Sequence, residues 1–411
     1  MPTINSPLTL PCGAILKNRI GKSAMSENMA DHRHHPGPEF ERLYSKWAQG
    51  GAGLLITGNV MVDSRALGEA HNVVVEKSNP NDAYLKRWAV AGGVNQTHLW
   101  PQLNHPGKQI PKFLSPVPVA PSAVSYPAPM NRLFSTPRAL QETEILDIIS
   151  RFAYAAETLK NCGFSGVQIH GAHGYLVSQF LSPHHNQRND DWGGSFEKRI
   201  RFAVEVYRAI RAKVGPHFPI GIKLNSADFM KGGFSEEESM QVVEILSKAG
   251  IDLIEISGGT YESPVMMGKK SPLRKSTQER EAYFLDYCEK VSKVTPTPIM
   301  LTGGFRTRNA MDAALASESC HVIGLARSLA VDYDFPNTLL ANTACESRVH
   351  PLTTGFRRMD KLFPLEITWY THQLHRMGRG KNPNPKANVK LTILKSLWSF
   401  GIDSLKRVRT F

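Results

Sequence analysis

Apolar residues along this chain come in short blocks that end abruptly, not in a residue-by-residue alternation. Eight such runs recur, each closed by a polar residue or a glycine: RIGKSAM (19–25), AGLLITG (52–58), LWPQLN (99–104), GVQIH (166–170), IGIKLN (220–225), DLIEIS (252–257), PIMLTG (298–303) and CHVIGLA (320–326). Most are near-continuous in Val, Ile and Leu, the pattern of a parallel strand covered on both faces. Between them lie stretches of helical period, including Thr143 to Lys160, Phe196 to Lys213, Ser235 to Ala249 and Asn309 to Ala316. Strand and helix alternating eight times predict an α/β fold, a (β/α)8 TIM barrel with long βα loops and a C-terminal helical extension. Catalytic residues are then expected at the C-terminal ends of the strands. A doubly wound sheet is the rival, but it needs a glycine fingerprint after its first strand, and RIGKSAM has none.

At 411 residues the chain exceeds a plain barrel. The barrel is expected over 1–340, and a helical extension with a basic amphipathic tail over 341–411. The proline-rich loop from Asn104 to Pro137 is too long for an ordinary connection and reads as a lid. Ser182 to Ser195 and Gly258 to Ala282 are further long loops. The start, MPTINSPLTLPCG, has neither the basic nor the apolar part of a signal peptide, and no run approaches a membrane span, so a cytoplasmic location is expected.

The net charge is +13, and from Arg376 to Arg409 nine Lys or Arg face one acid, Asp403, so the tail carries eight of those charges (9 − 1). Those residues lie outside the barrel and carry no nucleic-acid reading motif, so no nucleic-acid partner is expected. From Lys390 onward Leu391, Leu394, Trp398, Ile402 and Leu405 recur at three- or four-residue steps, with Lys395, Lys406, Arg407 and Arg409 supplying charge. Such a stripe is buried somewhere: on the barrel wall, on a neighbouring subunit in a homo-oligomer, or on an anionic membrane surface. Five scattered cysteines (12, 162, 288, 320 and 345) form no CxxC pair, which argues against a zinc site or a cysteine-ligated cluster.

The chemistry concentrates at the fourth run, which ends His170-Gly171-Ala172-His173-Gly174-Tyr175. Two imidazoles and a phenol within six residues can hold an oxygen and hand over a proton. A zinc reading that adds His184 and His185 lacks a carboxylate or cysteine at usual spacing, so no metal is expected. After the seventh and eighth runs stand Gly303 and Gly304, then Gly324, Ala326 and Arg327. Barrels often bind phosphate there through bare backbone N–H groups, and Arg327 adds a forked cation.

NRIGKSAMSE, PQLNHPGKQ, HGAHGYLVSQFLSPHHNQRNDDWGGSFEKRIRF, IKLNSADF, LTGGFRT and GLARSLA occur in an order and spacing that resemble the old yellow enzyme-like NADH:flavin oxidoreductases, the FMN-dependent ene-reductases, over about residues 5–340. The resemblance implies one FMN across the barrel mouth and NADH or NADPH as reductant. Ala24, Met25 and Ser26 would offer groups to the flavin edge, Gly58 would leave room for the ring, Gln102 would meet its pyrimidine edge, and Lys223 would set a cation beside N1 and O2. Gly303, Gly304, Ala326 and Arg327 would hold the phosphate. His170 and His173 would donate to the carbonyl of a bound enone, with His170 also against the cofactor, and Tyr175 would protonate the α-carbon. The implied activity is NAD(P)H-dependent reduction of the activated C=C bond of α,β-unsaturated carbonyl compounds.

Ser26 stands where relatives carry cysteine or threonine, and Asn28 where some carry tyrosine, so a reshaped pocket is expected. Two other functions remain open at this point. A class I aldolase-type lyase would use Lys223 as its Schiff-base nucleophile, and a non-catalytic flavin-binding protein would need no proton donor. The stretch Arg188 to Ser195 reads as scaffold, starting a helix at Ser195 with Glu197 and Arg201 as an i,i+4 pair. Tyr261, Met266 and Met267 are candidates to line the pocket. Lys269, Lys270, Arg274 and Lys275 would attract a 2′-phosphate or form a solvated charge run.

Overall fold

The computed structural model describes residues 1–115, 117–258, 284–342, 344–356, 360 and 365–395. Eight parallel strands close on themselves: β1 (Ile20–Lys22), β2 (Leu54–Met61), β3 (His98–Asn104), β4 (Val167–Gly171), β5 (Ile220–Asn225), β6 (Leu253–Ser257), β7 (Ile299–Thr302) and β8 (Val322–Leu325). Each pairs with the next, and β8 returns to β1 with Ile323 opposite Ile20 and Leu325 opposite Lys22, so the eight strands form a closed barrel. All eight apolar runs are therefore barrel strands, and the barrel expectation holds. Leu54, Ile56, Trp100, Leu253, Met300 and Val322 pack together inside it, joined by Leu8, Leu10 and Leu16 from an N-terminal hairpin. That apolar plug fills the lower end, and the chemistry is confined to the upper one.

The surrounding helices are α1 (Pro38–Gln49), α2 (Asp82–Gly92), α3 (Glu142–Asn161), the short α4 (Leu176–Leu181), α5 (Phe196–Val214), α6 (Glu236–Ala249), α7 (Leu285–Val291), α8 (Arg308–Ala316), α9 (Arg327–Val331), α10 (Phe335–Ala341) and α11 (Leu365–Gly378). Helix α6 starts where the sequence signals it: the Ser235 hydroxyl accepts from the Glu238 N–H at 3.2 Å, and the Glu238 carboxylate accepts from Ser235 N–H at 3.3 Å. Helix α5 starts after Ser195 as expected, but Arg201 does not pair with Glu197. Its guanidinium stacks over Trp192 at 4.4 Å and reaches Asp191 at 3.9 Å, because the indole offers a flat apolar face where Glu197 offers only a solvated charge.

The loop expected as a lid is pinned down. Lys108, 1% exposed, donates to the Val124 carbonyl at 3.3 Å and to His185 Nδ1 at 3.1 Å, and its ammonium lies 4.1 Å from the centroid of the Tyr126 ring. Helix α11 buries Leu365, Trp369, Tyr370, Leu374 and Met377 against α1 and α9. Beyond it Ile393 is buried while Leu391 and Leu394 are exposed. The rest of the expected stripe (Trp398, Ile402, Leu405, Lys406, Arg407 and Arg409) lies outside the described residues, as do Tyr261, Met266, Met267, Lys269, Lys270, Arg274 and Lys275. Among the described residues no helix is long and apolar enough to cross a membrane.

Candidate active site

The end of β4 brings His170, His173 and Tyr175 together. The His170 ring centroid lies 5.1 Å from that of His173 and 4.7 Å from that of Tyr175, both edge-on. Backbone geometry makes this possible: His173 has φ +61°, a left-handed conformation that disfavours any side chain but glycine's. It is held there by its N–H donating to Asn225 Oδ1 at 3.1 Å and by its Nε2 against Ser257 Oγ at 2.8 Å. Strain that is maintained by neighbours marks a position kept for what its side chain does.

Both imidazoles are neutral. Burial pushes the His170 pKa well below its usual value, with the nearby His173 and Lys223 adding to the effect. Burial, then Lys223, lowers that of His173 to about 3. The Ala172 N–H donates to His170 Nδ1 at 3.3 Å, so that nitrogen is the acceptor and the single proton of the neutral ring sits on Nε2. His170 is thereby a hydrogen-bond donor of fixed direction. Beside it the Tyr175 hydroxyl accepts from Asn59 Nδ2 at 3.5 Å.

A polar layer crosses the barrel beneath these groups. Glu255, completely buried, accepts from Gln168 Nε2 at 2.7 Å and Thr302 Oγ1 at 2.7 Å and pairs with Lys223 Nζ at 3.0 Å. Gln168 Oε1 in turn accepts from Gln102 Nε2 at 2.6 Å, and Thr302 Oγ1 lies 2.8 Å from Ser23 Oγ. Gln102 and Lys223 thus belong to one network, with Gln102 committing its amide N–H to Gln168. Lys223 is a neutralised cation in a buried ion pair, whereas a Schiff-base nucleophile requires a free amine. Glu255 and Gln168 were missed by sequence reasoning, although a charged residue inside the apolar run DLIEIS was the available signal.

Beyond β1 the chain passes Ala24, Met25 and Ser26, all half-buried, and within the described residues their backbone N–H groups take no protein partner. The Ser26 hydroxyl donates to the Glu69 carboxylate. Burial raises the Glu69 pKa above the usual carboxylate value, countered in part by that hydrogen bond. Gly58 has a packing reason to be glycine beside the one expected of it: a Cβ there would meet Glu27 Oε2 at 2.1 Å and the Met25 carbonyl at 2.5 Å. Its N–H donates to Glu27 Oε1 at 2.8 Å, and Tyr44 donates to the same carboxylate, so Gly58 serves the packing of Glu27.

At β7 and β8 the structure gathers Gly303, Gly304, Ala326 and Arg327 around one cavity of about 60 Å³, with Thr302, Arg306, Gly324 and Ser328 also in its wall. Gly303 and Gly304 have φ of +113° and +101°, conformations in which any side chain is strained, so that part of the wall is bare backbone. Gly324 admits no Cβ, since one would lie 2.0 Å from Thr302 Oγ1 and 2.7 Å from Ser23 Oγ. Arg327 donates through Nη1 to both oxygens of Glu366 at 3.2 and 3.1 Å. Unpartnered N–H groups after β1, a glycine-walled cavity and an arginine at its lip fit FMN. Ala24, Met25 and Ser26 would meet the ring edge, and Gly303, Gly304, Ala326 and Arg327 the phosphate.

Comparison with known proteins agrees with this geometry. The model of the NADH:flavin oxidoreductase / NADH oxidase family matches residues 4–346. The chain is 38% identical over 362 residues to an NADH-dependent flavin oxidoreductase of Hypocrea jecorina, covering 82% of this chain and 88% of that protein. It is 30% identical over 326 residues to a cinnamate reductase of Clostridium sporogenes, covering 72% of this chain and 46% of the relative. Among solved structures, the old yellow enzyme homologue of Zymomonas mobilis superposes with a TM-score of 0.71 at 23% identity, covering 85% of this chain and 95% of that one, a likeness of fold.

Proposed function

The chain belongs to the NADH:flavin oxidoreductase / NADH oxidase family, with FMN as cofactor and NADH as reductant, and from that premise we propose that it reduces the activated C=C bond of α,β-unsaturated carbonyl compounds. The observation that carries this reading is a pair of neutral imidazoles, His170 buried and His173 half-buried, beside a phenol. FMN, when bound, would supply the two-electron chemistry that links NADH to the β-carbon of the acceptor. The protein's own part is to hold the acceptor's carbonyl oxygen and to deliver a proton.

His170 Nε2–H donates to that oxygen, and His173 stands beside it as the second donor. Neutral donors suit an oxygen that gains negative charge during the reaction, because the hydrogen bonds strengthen as the charge grows. A histidinium would surrender its proton to the oxygen. Tyr175, whose hydroxyl proton is not used on Asn59, protonates the α-carbon, so the C=C bond gains one hydride and one proton. Similarity to a protein named for reducing cinnamate supports the substrate class.

Anaerobic stopped-flow kinetics test the proposal. In the His170→Ala/His173→Ala double variant FMN is expected to stay bound and its reduction by NADH to continue. Reoxidation by cyclohexenone is expected to slow by at least ~10²-fold, the scale of losing oxyanion donors. Reoxidation at the wild-type rate would remove the histidines from the reaction.

A further inference from the structure

Helix α11 lies beyond the residues that the family model matches, yet it touches both sides of the cofactor cradle. Near its far end His375 Nε2 donates to the Glu27 carbonyl at 2.8 Å, next to the carboxylate that seats Gly58. In its first turn Glu366 holds Arg327. The backbone between is fixed by buried Trp369 and Tyr370, and α9 is tied to α1 by Trp47 Nε1 donating to the Leu329 carbonyl at 2.9 Å.

A guanidinium has five N–H donors in a planar fork. Both Glu366 oxygens sit on Nη1 of Arg327, and among the described residues Nη2 and Nε take no protein partner. The pair is about one-third exposed on each side, where an isolated ion pair contributes little to stability. Its consequence is direction. With one terminal nitrogen docked on α11, the rest of the fork is presented at the lip of the cavity walled by Gly303, Gly304 and Gly324.

We propose that Glu366 is a positioning residue for Arg327, so that the part of FMN affinity that comes from the phosphate depends on the C-terminal helix. The proposal rests on the reading of Arg327 as a phosphate holder. Two opposing effects are at work. The Glu366 carboxylate repels a phosphate dianion, but it also freezes a long side chain in the orientation that binds one. A guanidinium that bridged the carboxylate and the phosphate would attract both, so orientation is expected to prevail.

The test compares the affinities of the apoprotein for FMN and for riboflavin, which lacks the phosphate, by quenching of flavin fluorescence. Glu366→Ala is expected to weaken FMN by about tenfold, the scale of one hydrogen bond to a charged group, and to leave riboflavin within about twofold. Glu366→Gln, whose amide oxygen still accepts from Arg327, is expected to recover most of the loss. Unchanged or tighter FMN binding in Glu366→Ala would overturn the proposal. An equal weakening of FMN and riboflavin would also overturn it, since that is the mark of a merely structural role. Arg327→Gln separates the premise from the inference. If that variant weakens both flavins alike, Arg327 is not a phosphate holder. If it weakens FMN alone while Glu366→Ala does not, only the positioning role falls. With both residues in play, Glu366→Ala adds nothing in the Arg327→Gln background.

Discussion

The two corners of the barrel mouth are made of different materials. At β4 to β6 the working surface is side chain: His170, His173 and Tyr175 above a layer in which Gln102, Gln168, Glu255, Lys223 and Thr302 satisfy one another. At β7 and β8 it is largely backbone, with Gly303, Gly304 and Gly324 lining a cavity that Arg306 and Arg327 also border. On the proposed reading the first corner fixes protons at stated atoms, where burial keeps the imidazoles neutral and a backbone N–H sets the tautomer of His170. The second would receive the phosphate, for which backbone N–H groups and an arginine fork suffice. Substitutions at the first corner should therefore act on rate, and substitutions at the second on cofactor retention.

At the reaction corner, next to the loss of both histidines, the largest expected effect of a single substitution is that of Tyr175→Phe. Removing the hydroxyl should slow reoxidation of the flavin by a weakly activated enone by about 10²-fold, the lower range for a general acid. NADH-driven reduction and FMN affinity should be spared. Single-turnover kinetics of the two half-reactions read this directly, and equal slowing of both halves would show that Tyr175 shapes the site without donating a proton.

Gly324→Ala should do the reverse. The added Cβ meets Thr302 Oγ1 and Ser23 Oγ, and overpacking of that kind costs about 1–3 kcal/mol. FMN should be lost on gel filtration and the melting temperature of the apoprotein should drop. Retained FMN with an impaired enone half-reaction would erase the distinction between the corners.

How much of this was legible in the sequence differs between the corners for a physical reason. Eight apolar runs predicted eight strands because a parallel strand covered on both faces must be apolar throughout. His170, His173 and Tyr175 were legible because they are near neighbours in the chain, and Gly303 and Gly304 because glycine pairs announce unusual backbone. What stayed hidden are partners brought from afar. Glu255 meets Lys223 and Thr302 through strand register, Glu69 meets Ser26 across a loop, and Glu366 meets Arg327 from 39 residues away. No local pattern encodes such a pairing. Gly58 shows the same limit: its position was legible, but not its contact with Glu27.

Glu255→Gln sharpens the comparison from inside the polar layer. Removing its charge leaves Lys223 an uncompensated cation below the mouth, and a nearby cation favours the more negative, reduced flavin. The midpoint potential of the bound flavin should rise by about 30 mV, equivalent to about 1.4 kcal/mol for a two-electron couple. A dye-linked reductive titration measures it. An unchanged potential would mean that the Lys223 charge is not felt at the cofactor.

The last effect is the dependence of stability on pH, and the share of it that His170 and His173 carry belongs to the reaction corner. The folded-state pKa of His173 is lowered to about 3 and that of His170 lies well below its usual value, while in the unfolded chain each titrates near ~6.5. Between those limits the unfolded state binds protons that the folded state refuses. Stability is therefore complete above about pH 6.5 and declines as pH falls from there towards 3, by up to ~1.4 kcal/mol per pH unit for each such histidine. His105, lowered to about 4 chiefly by burial, acts in the same direction, so the wild-type slope belongs to several residues. The informative quantity is the difference between variants. Urea unfolding at pH 7 and pH 5 should show a shallower loss in His173→Asn, by about one proton. In Arg327→Gln it should show the wild-type slope, because no histidine lines the cavity at β7 and β8. A wild-type slope in His173→Asn would mean that the imidazole takes up its proton in the folded protein, and the neutral-donor account of the reaction corner would go with it.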